Sequence, residues 1–174
     1  MSKKPTENPM FQPIIEKVTV NISVGKSGEP LEKAVKILKS MVNREPCRRD
    51  AKKSVKAFSI LRGEAIACMV TLRRVEAEAF LKRAFRAVGN RLYRSNFDRY
   101  GNFAFGIKEH LDVPDTKYDP ELGVVGMDVC VTLKRRGEHV AKRKIAKSRV
   151  GPSHRLTAEE AAEFIKSRFG VEIA

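Results

Sequence analysis

Four stretches of this chain alternate apolar and polar side chains, and that period constrains the fold more than any other feature. In Val18–Val24, residues Val18, Val20, Ile22 and Val24 fall on one side and Thr19, Asn21 and Ser23 on the other. Ala65–Arg73 sets Ile66, Cys68, Val70 and Leu72 against Ala67, Met69, Thr71 and Arg73. Phe103, Phe105 and Ile107 alternate in a shorter run, and Val125–Leu133 puts Met127, Val129, Val131 and Leu133 on one side. A period of two is that of a strand with one face buried and one face wet. Strands of this kind build a mainly antiparallel sheet, since parallel strands are covered on both faces and read as continuous apolar runs.

The segments between them carry helical spacing. Leu31, Ala34, Val35, Leu38 and Met41 recur at steps of three and four up to about Asn43, with Pro30 suited to a first turn. A second helix is expected over Glu76–Val88, stopped by Gly89. Thr157-Ala-Glu-Glu160 is a capping-box pattern opening a last helix that runs to Gly170. Ser54–Leu61 is expected as a further strand, turned by Arg62-Gly-Glu64 into the next. Arg44–Lys53, broken by Pro46, reads as a loop. Residues 1–13, with Pro5, Pro9 and Pro13, read as an irregular tail, and 14–174 as a single domain. The expectation is an α+β fold: a mainly antiparallel sheet with helices packed on one face and the other face open.

The charge is as unevenly placed as the hydrophobicity is regular. The net charge of +14 is concentrated in two segments: Arg44–Arg74 carries +6 and Lys134–Arg149 carries +7. Charge kept only for solubility would be spread over the surface. Concentrated cations fit a polyanion, because each one that meets a phosphate releases a condensed counterion. The second block lies in a basic arm at about 134–156, expected to have little core of its own. A nucleic-acid-binding protein follows, one with two basic contact surfaces.

Other classes are disfavoured. Cys47, Cys68 and Cys130 are widely spaced with no His at zinc spacing, so they read as reduced thiols and no metal site is expected. The N-terminal residues offer no apolar stretch for a signal peptide, and apolar runs are far shorter than the ~20 residues of a membrane span. A cytoplasmic protein with no membrane partner is expected. Gly25-Lys-Ser-Gly28 lies between a strand and a helix, but a phosphate loop needs Gly where Val20 stands. His110 beside Glu109 and Asp112 is the one acid/base candidate, and a lone His near two carboxylates is more often structural. His139 and His154 lie in basic sequence and read as auxiliary contacts or surface residues. No catalytic residue, cofactor or small-molecule substrate is expected. Two rivals remain distinguishable: an RNA-processing enzyme would turn RNA over through His110, and a DNA-binding architectural protein would not prefer RNA. Phe58, between Lys56 and Ile60, either stacks on an exposed base or belongs to the core.

Asn8-Pro-Met10, Val20-Asn-Ile-Ser-Val-Gly-Lys-Ser-Gly28, Ala51-Lys-Lys-Ser54 and Val70-Thr-Leu-Arg73 resemble the L-five family of 5S-rRNA-binding large-subunit ribosomal proteins. Gly101-Asn-Phe-Ala-Phe-Gly-Ile-Lys-Glu-His110 and Tyr118–Asp128 resemble its archaeal and eukaryotic branch. The resemblance implies a structural constituent of the large ribosomal subunit, anchoring 5S rRNA in the central protuberance. It also implies contact with 23S-type rRNA, the elbow of peptidyl-site tRNA and neighbouring ribosomal proteins, including a small-subunit bridge partner. Carried over by position, it points to Asn21, Phe58, Thr71 and Arg73 for 5S rRNA. It assigns Arg48, Arg49, Lys52 and Lys53 to a loop aimed at tRNA. Where the family commonly has Gly-Gln-x-Pro, this chain has Asn43-Arg-Glu-Pro46, so Arg44 is expected to supply a phosphate contact. Lys134, Arg135, Arg136, Lys142, Arg143 and Lys144 are the candidate phosphate contacts of the arm.

Overall fold

A computed structural model describes residues 8–116 and 118–174. Residues 1–7 of the expected tail lie outside the described residues. The central strand β1 (Pro13–Ser23) pairs with β3 (Ala65–Leu72) on one side and β6 (Met127–Arg135) on the other. β2 (Cys47–Asp50) extends the sheet beyond β3, and β5 (Phe103–Ile107) beyond β6. The order is β2-β3-β1-β6-β5, and every neighbouring pair is antiparallel.

The alternation decides which way this sheet faces. Val18, Val20 and Ile22 of β1 are fully buried, as are Cys68 and Val129 beside them. Helices α1 (Glu29–Val42), α2 (Arg74–Ala87) and α4 (Ala158–Phe169) join that face in one core through Leu38, Phe80, Leu81, Phe85 and Ile165. Burying one such aliphatic side chain contributes about 1.5–3 kcal/mol. A one-residue slip of β1 would exchange three of them for Thr19, Asn21 and Ser23, so the register is firmly set. Phe85 stacks on Phe105 at 5.5 Å and meets Phe169 edge-on at 5.3 Å, which fastens α2 to β5 and to the end of α4. A short parallel ladder, β4 (Arg91–Leu92) with β7 (Glu172–Ile173), holds the C-terminus.

Helix ends follow local chemistry. Pro30 lies in the first turn of α1, and Asn43 closes that helix at φ 55°. Thr157 and Glu160 form both halves of the capping box at α4.

Two expectations are corrected. Ser54–Leu61 is not a strand: Val55 and Ile60 make a lone bridge around a 3-10 turn at Lys56–Phe58. Ala51 and Glu64 pair across its base (N–O 2.8 Å), and Gly63 N–H donates back to Ala51 O at 2.9 Å. Residues 52–62 therefore leave the sheet as a closed excursion. The segment read as a loop supplies the missing strand, with Cys47, Arg48 and Arg49 opposite Met69, Cys68 and Ala67 and an irregularity before Asp50. Charged residues suit this edge, because they deter pairing with another chain. From Arg136 to Arg155 the arm buries no residue and is pinned at its two ends. β6 runs on to Arg135, and both Arg135 and Leu156 are buried. Between them lies the short helix α3 (His139–Lys142).

Candidate nucleic-acid interface

The face of the sheet turned away from the helices carries polar, small and sulfur-containing side chains in cross-strand rows. Asn21 lies between Met69 of β3 and Asp128 of β6, with Cys47 of β2 and Gly106 of β5 completing the row. In the next row Thr19 lies between Thr71 and Cys130. Asn21 Nδ2 donates to Ser23 Oγ at 2.9 Å, which fixes its amide along the strand. Small and polar side chains make the surface shallow, so a nucleic-acid backbone can approach it closely. Burial, and then the charge of Asp128, push the Cys130 thiol above its ordinary value, so it stays protonated at neutral pH.

Parity sorts the basic residues that sequence grouped together. Arg49 pairs with Ala67 and lies on the open face, its Nη2 3.9 Å from Met69 Sδ. Arg48, opposite the core residue Cys68, points to the helix side and meets Glu32 of α1 at 2.7 Å. Thr71 and Arg73 lie with Asn21 and Arg49, Arg73 at the step from β3 into α2. Phe58 is 71% exposed, which settles the choice between core and solvent. It sits not on the sheet but at the tip of the 52–62 excursion, beyond the Val55–Ile60 bridge, while Lys52 and Lys53 lie at its base. The structure thus brings Asn21, Thr71, Arg73 and Arg49 together and sets Phe58 and the two lysines on one excursion.

The remaining cations divide by whether they already have partners. Arg44 makes a two-point pair with Glu76 at 2.9 and 3.1 Å. Lys134 and Lys142 both bind Glu16, at 3.2 and 2.9 Å, and Lys142 also reaches Glu138. Arg143 Nε donates to Ala146 O at 2.7 Å. Among the described residues Arg49, Lys52, Lys53, Arg73, Arg136, Arg143 and Lys144 form no ion pair with an acidic side chain. Exposed pairs such as Arg44–Glu76 and Arg48–Glu32 are worth about 0–1 kcal/mol, so a phosphate can displace the carboxylate. Arg135 is another matter. Its side chain is 5% exposed, with Nη1 donating to Ser153 O at 3.1 Å and Nη2 to Glu160 at 2.6 Å. An external phosphate contact would require tearing that knot open, so Arg135 leaves the contact set.

Sequence reasoning missed the parts that hold the arm. Phe11 lies under the Arg135 guanidinium at 5.4 Å and meets His154 edge-on at 5.2 Å. Asn8 sets up this approach: its Oδ1 accepts from Met10 N–H and its carbonyl from Phe11 N–H. The other fastener is Glu16, the extra residue of a bulge in β1. The adjacent polar pair Glu16-Lys17, interrupting the apolar alternation, was the available signal. Burial alone would raise the Glu16 carboxyl, but hydrogen bonds from Lys142 and Lys134 prevail and hold it below its ordinary 4.5.

The acid/base candidate resolves into scaffolding. His110 is 2% exposed, its N–H donates to Val125 O at 3.0 Å, and its Nδ1 accepts from Val125 N–H at 3.3 Å. Burial lowers its pKa, so the ring is neutral and braces the approach to β6. Among the described residues no cluster of His, Cys, Asp and Glu could hold a metal. No helix there is long and apolar enough to cross a membrane.

An open sheet face bordered by two arginines that have no acidic partner among the described residues, on a chain of net charge +14, defines a basic α+β protein with a surface suited to a polyanion. The family model for ribosomal protein L5 matches residues 8–60, and that for the ribosomal L5P family C-terminus matches 65–167. The large ribosomal subunit protein uL5 of Pyrobaculum aerophilum is 51% identical over 166 residues, covering 95% of this chain and 93% of that protein. Its counterpart in Sulfurisphaera tokodaii is 45% identical over 174 residues, covering 99% and 98%. That of Cenarchaeum symbiosum is 46% identical over 159 residues, covering 91% and 94%. This chain belongs to the ribosomal protein L5 family, whose members are structural and not enzymes.

Proposed function

We propose that the protein is a structural component of the large ribosomal subunit in the cytoplasm, and that its open sheet face seats 5S rRNA in the central protuberance. The observation that carries this reading is the row-by-row polar surface around Asn21, Thr19 and Thr71, bordered by Arg49 and Arg73 with no acidic partner. Such a surface suits recognition of folded RNA by shape, 2′-OH and phosphate. The excursion at 52–62, carrying Lys52, Lys53 and exposed Phe58, is a separate element that reaches for the elbow of peptidyl-site tRNA. Its aromatic tip offers stacking where the sheet offers hydrogen bonds. The free cations of the arm (Arg136, Arg143 and Lys144) take phosphates of 23S-type rRNA. Neighbouring ribosomal proteins, including a small-subunit bridge partner, complete the assembly.

Titration of isolated 5S rRNA with the full chain tests the division. Asn21→Ala with Arg49→Gln and Arg73→Gln should weaken binding and lower the salt slope by about 0.9 log units for each phosphate that is no longer neutralised. Circular dichroism should not change. Lys52→Gln with Lys53→Gln and Phe58→Ala should leave 5S affinity nearly intact and impair tRNA placement in reconstituted subunits. Unchanged 5S affinity in the sheet variant, or equal affinity of the wild type for duplex DNA, would overturn the proposal.

A further inference from the structure

Beside the knot that holds the arm lies a cavity of about 470 Å³, between β6, the turn before β5 and the arm that carries α3. We propose that it receives a single unstacked nucleotide of the bound RNA, a proposal that rests on the RNA-binding reading above. Its volume falls in the range of about 300–1,000 Å³ that small-ligand sites occupy. Five cationic side chains line it; Lys134 and Lys142 are engaged by Glu16 and Arg135 by Glu160, which leaves Arg149 and Arg155 without an acidic partner among the described residues. Such a lining favours an anion.

One further feature specifies a nucleotide. Tyr100 borders the cavity, is 44% exposed, and has Arg99 4.7 Å over its ring. Asp98 fixes the turn that carries it, its Oδ1 accepting from the backbone N–H groups of Tyr100 and Asn102 at 2.8 Å each. An exposed aromatic beside cations is how proteins stack a splayed-out RNA base.

A mononucleotide has the same chemistry, but the surroundings favour a polymer. Arg136, Lys144 and Lys147 lie in the same charged segment without acidic partners, ready for the phosphates on either side of the inserted residue. An inserted nucleotide would also explain why so basic a segment is folded around a cavity instead of lying open.

The test uses the full chain bound to 5S rRNA and, separately, to large-subunit rRNA. Ultraviolet crosslinking followed by mass spectrometry of peptides should yield a nucleotide adduct on the Tyr100 peptide. Tyr100→Leu with Arg149→Gln, both exposed positions, should weaken binding to the same RNA about tenfold. Adenosine and uridine monophosphates, followed by chemical-shift changes of the arm, should bind far more weakly than the RNA. No adduct with either RNA, together with unchanged affinity in the double variant, would overturn the proposal. If the Asn21/Arg49/Arg73 variant still loses affinity, the RNA-binding reading stands without it. Wild-type chain that binds neither RNA overturns both. Mononucleotide binding as tight as RNA binding would assign the cavity to a free nucleotide.

Discussion

Adjacent arginines show how little a residue's type says about its work. Arg135 is buried: Glu160 and Ser153 O hold its guanidinium and Phe11 lies against it. The carboxylate left behind by its removal, Glu160, is 39% exposed, so the loss comes chiefly from packing and from the unmet Ser153 carbonyl. Arg135→Ala should therefore destabilise the fold by about 1–3 kcal/mol, read as a lowered denaturation midpoint, while exposed Arg136→Ala should stay within about 0.5 kcal/mol. Comparable midpoints for the two variants would refute the structural role of Arg135. Glu16 adds a pH dependence. Its carboxyl is held below 4.5 in the folded state, so its contribution is complete above that value and lost as pH falls through the lowered one. Lys142, raised above 10.5 chiefly by its hydrogen bond to Glu16, contributes fully below that value and loses its share as pH rises past the raised one. Glu16→Gln should cost about 1 kcal/mol at neutral pH, the partners being half exposed, and the difference from wild type should shrink in acid. Thermal melts at a series of pH values give both numbers.

At the scale of elements, legibility tracked how much of the signal lay within one segment. Strands β1, β3, β5 and β6 were legible because their alternation is complete within a few residues and half-burial demands it. The caps of α1 and α4 were legible for the same reason. β2 was not, since Cys47-Arg-Arg-Asp50 has no apolar face, and only the free edge of β3 makes it a strand. Ser54–Leu61 misled in the opposite way: Val55, Phe58 and Leu61 look like strand residues but have no neighbour to pack on. For the interface, Asn21, Thr71 and Arg73 followed from parity. Arg135 could not be removed from the contact set without knowing that Glu160 stands beside it, nor could Arg48 be set on the helix side without the register of β2. The turn before β5 offers an element-level test. Gly101 has φ 76°, and a Cβ there would lie 2.9 Å from Leu156 Cδ2 and 3.0 Å from Ala161 Cβ. A side chain would meet both backbone strain and overpacking at the seam between the turn and α4. Gly101→Ala is expected to cost about 2–3 kcal/mol by chemical denaturation. A loss below about 0.5 kcal/mol would mean that the seam yields freely.

Across the whole molecule, the matched family segments meet at residues 60–65, in the excursion that leads from β2 to β3. The sheet ignores that division. β1, from the first segment, is hydrogen-bonded on both sides to strands of the second, along six positions of β3 and eight of β6. Its three fully buried side chains lie at the middle of the one hydrophobic cluster, and α1 closes that cluster over β3. Without residues 8–60, β3 and β6 would each expose an unpaired edge, and the core would lose Val18, Val20, Ile22 and the apolar face of α1. No rearrangement within 65–174 supplies an equivalent central strand, because β5 and β6 are already paired and α2 and α4 lie on the other side of the core. We therefore expect one cooperative unit: chemical denaturation of the full chain should give coincident transitions by far-ultraviolet dichroism and tyrosine fluorescence. A fragment of residues 65–174 should show no cooperative transition and little amide dispersion in its proton spectrum. Because the open face is built from all five strands, that fragment should also bind 5S rRNA only through its charge, with an affinity that high salt abolishes. A folded 65–174 fragment, or two separated transitions in the full chain, would show instead that the C-terminal segment holds its own core and that β1 merely docks on it.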